Sequence, residues 1–253
     1  MNYPTTSGRG IGLAPAASRE VSNLFTPMNI ALILAGGSGT RMNLPLPKQY
    51  AEILGKPVIE YTLQAFLKHP QIDAVYVVCS EDGEKYIKQT ATVRGGATRQ
   101  ESALFGLREL AKRYPADSVV LIHDAARPLV SEDIITENVS KTKLFDCAVT
   151  AINSTNSIAE ISSDGLVSRY LNRDSLIMLQ TPQTFRLSAI LEAHERAAAS
   201  GESGFTDDNS LFMKYFPEAK CAVASGNSMN FKITEQADLL VLRNHLTRGV
   251  IDI

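Results

Sequence analysis

The chain has 253 residues, and 44% of them are hydrophobic, which is enough for one large α/β domain or two small ones. A formal net charge of -2 argues against nucleic acid as the main partner, because binding a nucleic-acid backbone needs a clear cationic excess. No run of about 18 apolar residues occurs, so no membrane span is predicted.

The cysteines and the opening segment bear on the location of the protein. Cys79, Cys147 and Cys221 show no CxxC spacing, which favours core positions in a reducing, cytoplasmic protein and argues against a disulfide framework or a zinc site. Residues 1–27 are rich in Ser, Thr, Pro, Gly and Ala and lack the apolar core of a signal peptide. We expect 1–27 to be a disordered extension and 28–253 to form a single domain.

Strands and helices alternate in the first half of the chain. The apolar runs at 30–34, 74–79 and 118–123 are typical of buried strands, and apolar spacing predicts helices over 58–69 and 102–114. This order predicts an α/β fold with a mostly parallel sheet and helices on both faces. Ligands of such sheets bind at the carboxyl ends of the strands.

The second half of the chain is less regular. From 148 to 185 the pattern predicts an arm or an inserted hairpin. The alternation then resumes, and the expected elements are a helix over 188–200, strands over 219–224 and 231–233, and a helix over 234–245 that Thr234 caps.

The strongest local signal is a glycine-rich loop that directly follows the first strand. Glycine lets the backbone approach a ligand closely, and exposed N–H groups in such a loop cradle phosphate. Arg41 and Lys48 add two cations, which suits a triphosphate. The loop consists of Ala35, Gly36, Gly37, Ser38, Gly39 and Thr40.

Other nucleotide motifs fit this loop less well. The dinucleotide fingerprint needs a third glycine where Met42 stands, and its acidic residue would be Glu60, inside a predicted helix. The spacing of a P-loop does not occur. A nicotinamide-dependent oxidoreductase and a non-catalytic nucleotide-binding subunit remain as alternatives.

Polar residues follow the third predicted strand. Asp124 at its end suits a hydroxyl or a metal, while Arg127 suits a phosphate; alternatively, the two form a salt bridge that shapes the loop. His123 lies among apolar neighbours, which favours a buried histidine with satisfied ring nitrogens over a general base.

Two further segments carry candidate binding groups. Gly95 and Gly96 precede a helix, where backbone groups can recognise a base edge or simply form a turn with a helix cap. Lys232 lies within the predicted strand at 231–233, where it is either an edge residue or directed at an anion.

Six motifs in order resemble the cytidylyltransferases of the methylerythritol phosphate isoprenoid pathway and their relatives, the ribitol-5-phosphate cytidylyltransferases. They are LAGGSGTRM with PKQ, GGATRQES, IHDAARP, LQTPQTF, FTDDNS and NFKIT, and they span most of the chain from Ile30 to Leu246. The resemblance implies a Rossmann-like nucleotidyltransferase fold whose projecting β-arm, at about 150–185, builds a homodimer. It also implies CTP as a substrate, with Mg²⁺ bound through the CTP phosphates and no protein metal site.

The resemblance assigns roles to individual residues. The catalytic residues would be Arg41, Lys48, Arg173 and Lys232. Contacts to CTP would come from the glycine loop and from Gly96, Arg99, Ser102, Asp124 and Ala125. The polyol phosphate site would be lined by Asp124, Arg127, Thr181, Thr206 and Lys232, with Arg173 reaching the substrate phosphate from the arm of the same or the neighbouring subunit.

The implied reaction is in-line attack of a substrate phosphate oxygen on the α-phosphorus of CTP, with pyrophosphate leaving. The motifs leave two acceptors open. The Leu-Ala-Gly-Gly loop is more similar to the ribitol enzymes, whereas HDAARP and the stretch at 192–197 are more similar to the isoprenoid enzymes. The stretch at 152–157 departs from the isoprenoid pattern. We expect methylerythritol phosphate, with ribitol 5-phosphate as the alternative.

Overall fold

The computed structural model describes residues 26–37 and 46–248. Most of the expected extension at 1–27 therefore lies outside the described residues. So do Ser38, Gly39, Thr40 and Arg41 of the predicted phosphate loop. None of the helices in the described ranges has the length and apolar character that crossing a membrane requires.

The strands form one large sheet and two small ones. In chain order they are β1 (Asn29–Leu34), β2 (Glu52–Ile53), β3 (Lys56–Pro57), β4 (Ala74–Cys79), β5 (Ala91–Arg94), β6 (Val119–Asp124), β7 (Cys147–Asn153), β8 (Ile158–Ile161), β9 (Val167–Leu171), β10 (Ile177–Arg186) and β11 (Cys221–Ser225). The seven-stranded sheet has the order β11-β7-β10-β6-β1-β4-β5. Its neighbouring strands pair in parallel, except that β10 is antiparallel to both β6 and β7. This confirms the mostly parallel α/β sheet.

Helices cover both faces of this sheet. They are α1 (Val58–Leu67), α2 (Arg99–Ala111), α3 (Glu132–Thr142), α4 (Leu187–Ala199), α5 (Asp208–Tyr215) and α6 (Gln236–Arg248). Leu32 of β1 packs in a cluster with residues of α2, α4 and α5, while its neighbour Ile33 packs with residues of α1 and α3. Since both faces of β1 are buried, the strand is a continuous apolar run rather than an alternating one.

The early strands and helices agree with the sequence predictions. β1, β4 and β6 confirm the three predicted strands to within a residue, and α1, α2 and α4 confirm helices to within about three residues. The cysteines are free; Cys79 and Cys147 are buried and Cys221 is half-buried. The sequence interpretation did not include α3 or α5.

The predicted strand at 231–233 is wrong. This segment joins no sheet, and the N–H of Ile233 instead donates a hydrogen bond to the carbonyl oxygen of Ala126 at 2.8 Å. Its apolar residues are buried against α1 and α6 rather than in the sheet. The capping prediction is also wrong, because Thr234 donates its N–H and its hydroxyl to Asp238, and α6 begins at Gln236.

A two-stranded hairpin, β8–β9, stands apart from the large sheet. Ile161 is 73% exposed and Tyr170 is 75% exposed, so the hairpin presents apolar surface to its surroundings. The arm is shorter than the expected 150–185, because β7 extends to Asn153 and β10 begins at Ile177 within the large sheet.

Candidate active site

The candidate site lies beyond the carboxyl ends of β1, β4, β5 and β6. The first residues after these strands continue the pairing of the sheet: the N–H of Ala35 bonds Val78 O at 2.8 Å and the N–H of Ala125 bonds Leu34 O at 3.0 Å. The N–H of Gly95 bonds Cys79 O at 2.8 Å in the same way. These bonds bring the start of the glycine loop (residues 35–37), the segment at 95–96 and Asp124 to one edge of the sheet.

The start of the glycine loop is held by a side chain that follows it. Nε2 of Gln49 donates to Ala35 O at 2.6 Å and to Gly37 O at 2.9 Å. Gly36 and Gly37 are exposed, and neither N–H donates to the described part of the chain. Ala35 is buried, with its N–H and carbonyl already bonded. Gln49 was missed as a site residue, although it ends the PKQ motif.

The second glycine segment meets the first at Ser102. The N–H of Gly96 donates to Ser102 Oγ at 3.1 Å, and that hydroxyl donates to Thr98 O at 2.8 Å. A Cβ placed on Gly36 would lie 3.2 Å from the same Oγ, and one on Gly95 would lie 3.0 Å from it. The two predicted nucleotide-binding segments therefore approach each other closely at this hydroxyl.

Asp124 is the centre of a charged cluster. Its Oδ2 lies 2.8 Å from Lys232 Nζ and 3.7 Å from Arg127 Nε, and its Oδ1 lies 3.5 Å from Arg99 Nε. Burial raises the pKa of Asp124, but the charges of Lys232, Arg99 and Arg127 outweigh burial and hold that pKa well below its ordinary value. Asp124 is therefore ionised, with cations on both of its oxygens.

A second carboxylate, Asp208, extends this cluster. Its Oδ2 lies 2.8 Å from Arg99 Nη2 and its Oδ1 lies 3.2 Å from His194 Nε2. Burial raises the pKa of Asp208, but the charge of Arg99 and the hydrogen bond from His194 outweigh burial and lower that pKa to about 2. Three cations and two carboxylates leave the cluster with one net positive charge. Asp208 was quoted within a motif, but its role was not predicted.

His123 is a fully buried histidine below Asp124. Its Nδ1 accepts a hydrogen bond from the Thr181 hydroxyl at 2.9 Å, and its Nε2 donates to Arg127 O at 3.1 Å. Burial lowers the pKa of His123 to about 4, so the ring is neutral near pH 7. This confirms a buried histidine with both nitrogens satisfied rather than a general base.

A β-bulge places Thr181 beneath the site. The register of β10 against β7 shifts between Leu179 and Gln183, and the Thr181 hydroxyl accepts the N–H of Asp124 at 3.1 Å. Bulges re-aim side chains in this way. Because the hydroxyl is bonded to both Asp124 and His123, Thr181 supports Asp124 from below.

Asn230 anchors the segment that carries Lys232. Its carbonyl oxygen accepts from Arg127 Nη1 at 2.7 Å, and its Nδ2 donates to Thr181 O at 2.8 Å. The guanidinium of Arg127 thus binds the backbone beside Lys232 as well as facing Asp124. Sequence reasoning missed Asn230, although it begins the NFKIT motif.

The remaining predicted residues lie around this centre. Burial raises the pKa of Asp238 in α6, but hydrogen bonds from Thr234 and Glu235 lower it, and the charge of the nearby Lys48 adds to that lowering. Thr206 is exposed and directly precedes Asp207, the N-cap of α5. Arg173 is on the arm, 3.9 Å from Asp174, and the described contacts do not bring it to Asp124. Ala125 is buried with its N–H bonded, so it offers a nucleotide no backbone donor.

The described residues do not form a protein-held metal site. In ranges 26–37 and 46–248, no three His, Cys, Asp or Glu side chains are grouped so that they could hold a metal ion. Asp124 is surrounded by three cations, which would repel a divalent ion.

A family model for 2-C-methyl-D-erythritol 4-phosphate cytidylyltransferase matches residues 29–248. The chain belongs to this family. It is a cytidylyltransferase, a nucleotidyltransferase enzyme. This membership supports neither the oxidoreductase alternative nor the non-catalytic one.

Relatives of this cytidylyltransferase carry two substrate names. A ribitol-5-phosphate cytidylyltransferase of Vibrio parahaemolyticus is 35% identical, over 85% of this chain and 94% of the relative. A 2-C-methyl-D-erythritol 4-phosphate cytidylyltransferase of Thermosipho africanus is also 35% identical, over 84% of this chain and 95% of the relative.

Longer and solved relatives agree with the family. A bifunctional enzyme IspD/IspF of Bradyrhizobium diazoefficiens is 38% identical over 83% of this chain, which spans about half (53%) of that protein's length. The crystal structure of a 4-diphosphocytidyl-2C-methyl-D-erythritol synthase from Anaerococcus prevotii aligns with a TM-score of 0.76 at 30% identity. That alignment covers 87% of this chain and 99% of the other.

Proposed function

We propose that this cytidylyltransferase transfers CMP from CTP to 2-C-methyl-D-erythritol 4-phosphate and releases pyrophosphate. The observation that carries the proposal is the cluster around Asp124. A fixed carboxylate accepts hydrogen bonds from hydroxyl groups, and a net positive surround attracts a phosphate. A polyol phosphate carries both groups, so one cluster suits both ends of such an acceptor.

The proposed reaction needs no covalent enzyme intermediate. An oxygen of the acceptor phosphate forms a bond to the α-phosphorus of CTP, while the bond from that phosphorus to the β-phosphate oxygen breaks. Pyrophosphate leaves and the product is a cytidine diphosphate ester. Since a phosphate dianion is already a nucleophile, the enzyme has to position the reactants and stabilise charge.

We assign the two substrates to two halves of the site. The nucleotide half consists of the glycine loop with Gly96 and Ser102, whose backbone groups and hydroxyl suit a base and phosphates. The acceptor half consists of Asp124, Arg127 and Lys232. Arg41 and Lys48 are proposed to bind the triphosphate. Arg173 is proposed to reach the acceptor phosphate from the arm.

Ribitol 5-phosphate is the second candidate acceptor. It is favoured by the similarity to the Vibrio enzyme and by the Leu-Ala-Gly-Gly form of the glycine loop. The two polyols differ in chain length and in one methyl group, so they make different contacts with the same carboxylate.

A pyrophosphate-release assay tests the function. The purified protein is given CTP and Mg²⁺ with either 2-C-methyl-D-erythritol 4-phosphate or ribitol 5-phosphate, and kcat/KM is compared. We expect the methylerythritol substrate to give the higher value, and UTP in place of CTP to give little release. A higher value with ribitol 5-phosphate would reassign the acceptor, and no release with either would reject the function.

Lys232→Met tests the assignment of the acceptor half. Removing the ammonium group 2.8 Å from Asp124 leaves the carboxylate without its nearest cation. We expect kcat/KM for the acceptor to fall about 100-fold, equivalent to about 2.7 kcal/mol. The matched control is Lys143→Met, at an exposed position directly after α3. This variant should leave kcat/KM for both substrates unchanged. Equal behaviour of the two variants would remove Lys232 from the acceptor half.

We also propose a homodimer formed through the arm. The support is the apolar surface of the β8–β9 hairpin, which includes Ile161 and Tyr170. Sedimentation of the wild type against a double variant, Ile161→Lys with Tyr170→Lys, tests this association. A wild type that sediments as a monomer would reject it.

A further inference from the structure

A series of hydrogen bonds and ion pairs runs from helix α4 into the acceptor half. It starts at His194, whose Nε2 lies 3.2 Å from Asp208 Oδ1, and continues from Asp208 Oδ2 to Arg99 Nη2 at 2.8 Å. Arg99 then faces Asp124, with 3.5 Å between its Nε and Oδ1 of that carboxylate. These residues are far apart in the sequence, and the function proposed above uses neither His194 nor Asp208.

The inner residues of this series of contacts are buried. The side chains of His194 and Asp208 are each 1% exposed, whereas that of Arg99 is 27% exposed. A buried carboxylate that loses one partner leaves an uncompensated charge in a medium of low dielectric constant, so its partners are held strongly. Asp208 is therefore a buried anchor for Arg99, and Arg99 is the member of this series of contacts that reaches the site.

His194 orients the anchor. Because Oδ1 of Asp208 accepts, Nε2 of His194 carries the hydrogen of that bond. Its Nδ1 is buried and has no hydrogen-bond partner in the described part of the chain, so the contact to Asp208 is the ring's one polar interaction there. Because His194 bonds Oδ1 of Asp208, Oδ2 is available to the guanidinium of Arg99.

We propose that Asp208 and His194 are positioning residues that hold Arg99 between two carboxylates and thereby keep Asp124 oriented towards the acceptor. The shorter contact, at 2.8 Å, draws Arg99 towards Asp208 and leaves it 3.5 Å from Asp124. Without the anchor, Arg99 moves onto Asp124, where a guanidinium and a carboxylate prefer two parallel hydrogen bonds. Asp124 then has fewer lone pairs for hydroxyl groups of an acceptor.

The proposal rests on the proposed function for the identity of the acceptor, and its test separates the two substrates. The variants are Asp208→Asn, His194→Leu and His194→Gln, the last of which keeps an N–H donor near the position of Nε2. We expect the first two to raise KM for the polyol phosphate about 10-fold while KM for CTP changes less than about twofold. His194→Gln should recover to within about threefold of wild type.

A matched control lies on the same pair of helices. Glu195 of α4 forms an ion pair with Arg108 of α2 at 2.7 Å, but both side chains are more than 40% exposed. Glu195→Gln should leave both KM values unchanged, because exposed pairs contribute little. A loss of thermal stability in His194→Leu with unchanged KM values, or an equal rise of both KM values, would overturn the positioning role.

A crystal structure of Asp208→Asn gives a readout that does not depend on turnover. We expect the Arg99 guanidinium to lie closer to Asp124 than in the wild type. An Arg99 that keeps its wild-type position would overturn the proposal. If the wild type released no pyrophosphate with either polyol phosphate, the proposed function would fail, and the position of Arg99 would still decide the positioning role.

Discussion

The nucleotide half and the acceptor half of the site share one sheet edge but use different chemical groups. Where the glycine segments meet, at Gly36, Gly96 and Ser102, the groups that approach each other are backbone atoms and one hydroxyl, and the Glu101 carboxylate beside them bonds backbone N–H groups. Around Asp124, by contrast, the side chains that face its carboxylate are cationic and are paired with it.

The difference follows from what each half is proposed to bind. A cytosine base is uncharged, so shape and backbone hydrogen bonds recognise it with little desolvation of the protein. An acceptor phosphate is an anion, and a cluster already paired internally presents charge in a fixed geometry, which avoids reorganisation during the reaction. Removing a charge near Asp124 should therefore affect the acceptor, whereas adding a side chain at a glycine of the nucleotide half should affect CTP.

The largest expected effect comes from Arg41 and Lys48, the two cations proposed to bind the triphosphate. Lys48→Ala and Arg41→Ala should each reduce kcat at least 100-fold, or about 3 kcal/mol or more, because each removes a charge proposed to bind the triphosphate. Steady-state pyrophosphate release measures this. Unchanged turnover in both variants would mean that backbone groups alone hold the triphosphate.

A second prediction concerns the buried support of the acceptor half. The pKa of His123 is about 4 in the folded protein and about 6.5 when unfolded, so the unfolded chain binds more protons between these values. Above pH 6.5, His123 should not reduce the free energy of unfolding. As the pH falls from 6.5 to 4, His123 should reduce this free energy by no more than about 3 kcal/mol.

Urea unfolding of the wild type and of His123→Gln at pH 6.5, 5 and 4 isolates this contribution. The variant should show a shallower loss of unfolding free energy, since glutamine does not titrate. The two proteins would lose stability in parallel if His123 were accessible to protons when folded.

The smallest predicted effects compare two glycines of the nucleotide half. A Cβ on Gly96 would lie 2.4 Å from Glu101 Cβ, within the capping box of α2, so a shift is unavoidable. We expect Gly96→Ala to raise KM for CTP about 10-fold with KM for the acceptor unchanged.

Gly36→Ala is the matched control for this prediction. Its Cβ would lie 3.2 Å from Ser102 Oγ, and a side-chain hydroxyl gives way more easily than a helix backbone. KM for CTP should rise less than about threefold. A rise in the acceptor KM with either alanine would show that the two halves are not separable.

Much of the fold was predictable from local pattern, and particular elements show why. β1 and β6 are buried on both faces, so they appear as uninterrupted apolar runs. The segment at 231–233 has apolar residues on either side of Lys232, but they pack against helices, and only the tertiary structure distinguishes a strand from such a segment.

Local sequence pattern also located part of the site. Asp124 and the glycine loop follow strands, so the rule that ligands bind at strand ends located them. The contacts of Asp124 with Arg99 and Lys232 join residues 25 and 108 positions away. Asp208 could not be assigned a role, because the pattern around it does not indicate which residue it faces.

The antiparallel strand β10 joins the arm to the floor of the site. Its first residue, Ile177, follows the arm directly, and Thr181 holds the N–H of Asp124 from below. The end of the arm and the floor of the site are therefore parts of one continuous strand, four residues apart along the chain. A substitution between Ile177 and Thr181 thus lies within four residues of both the arm and the acceptor half.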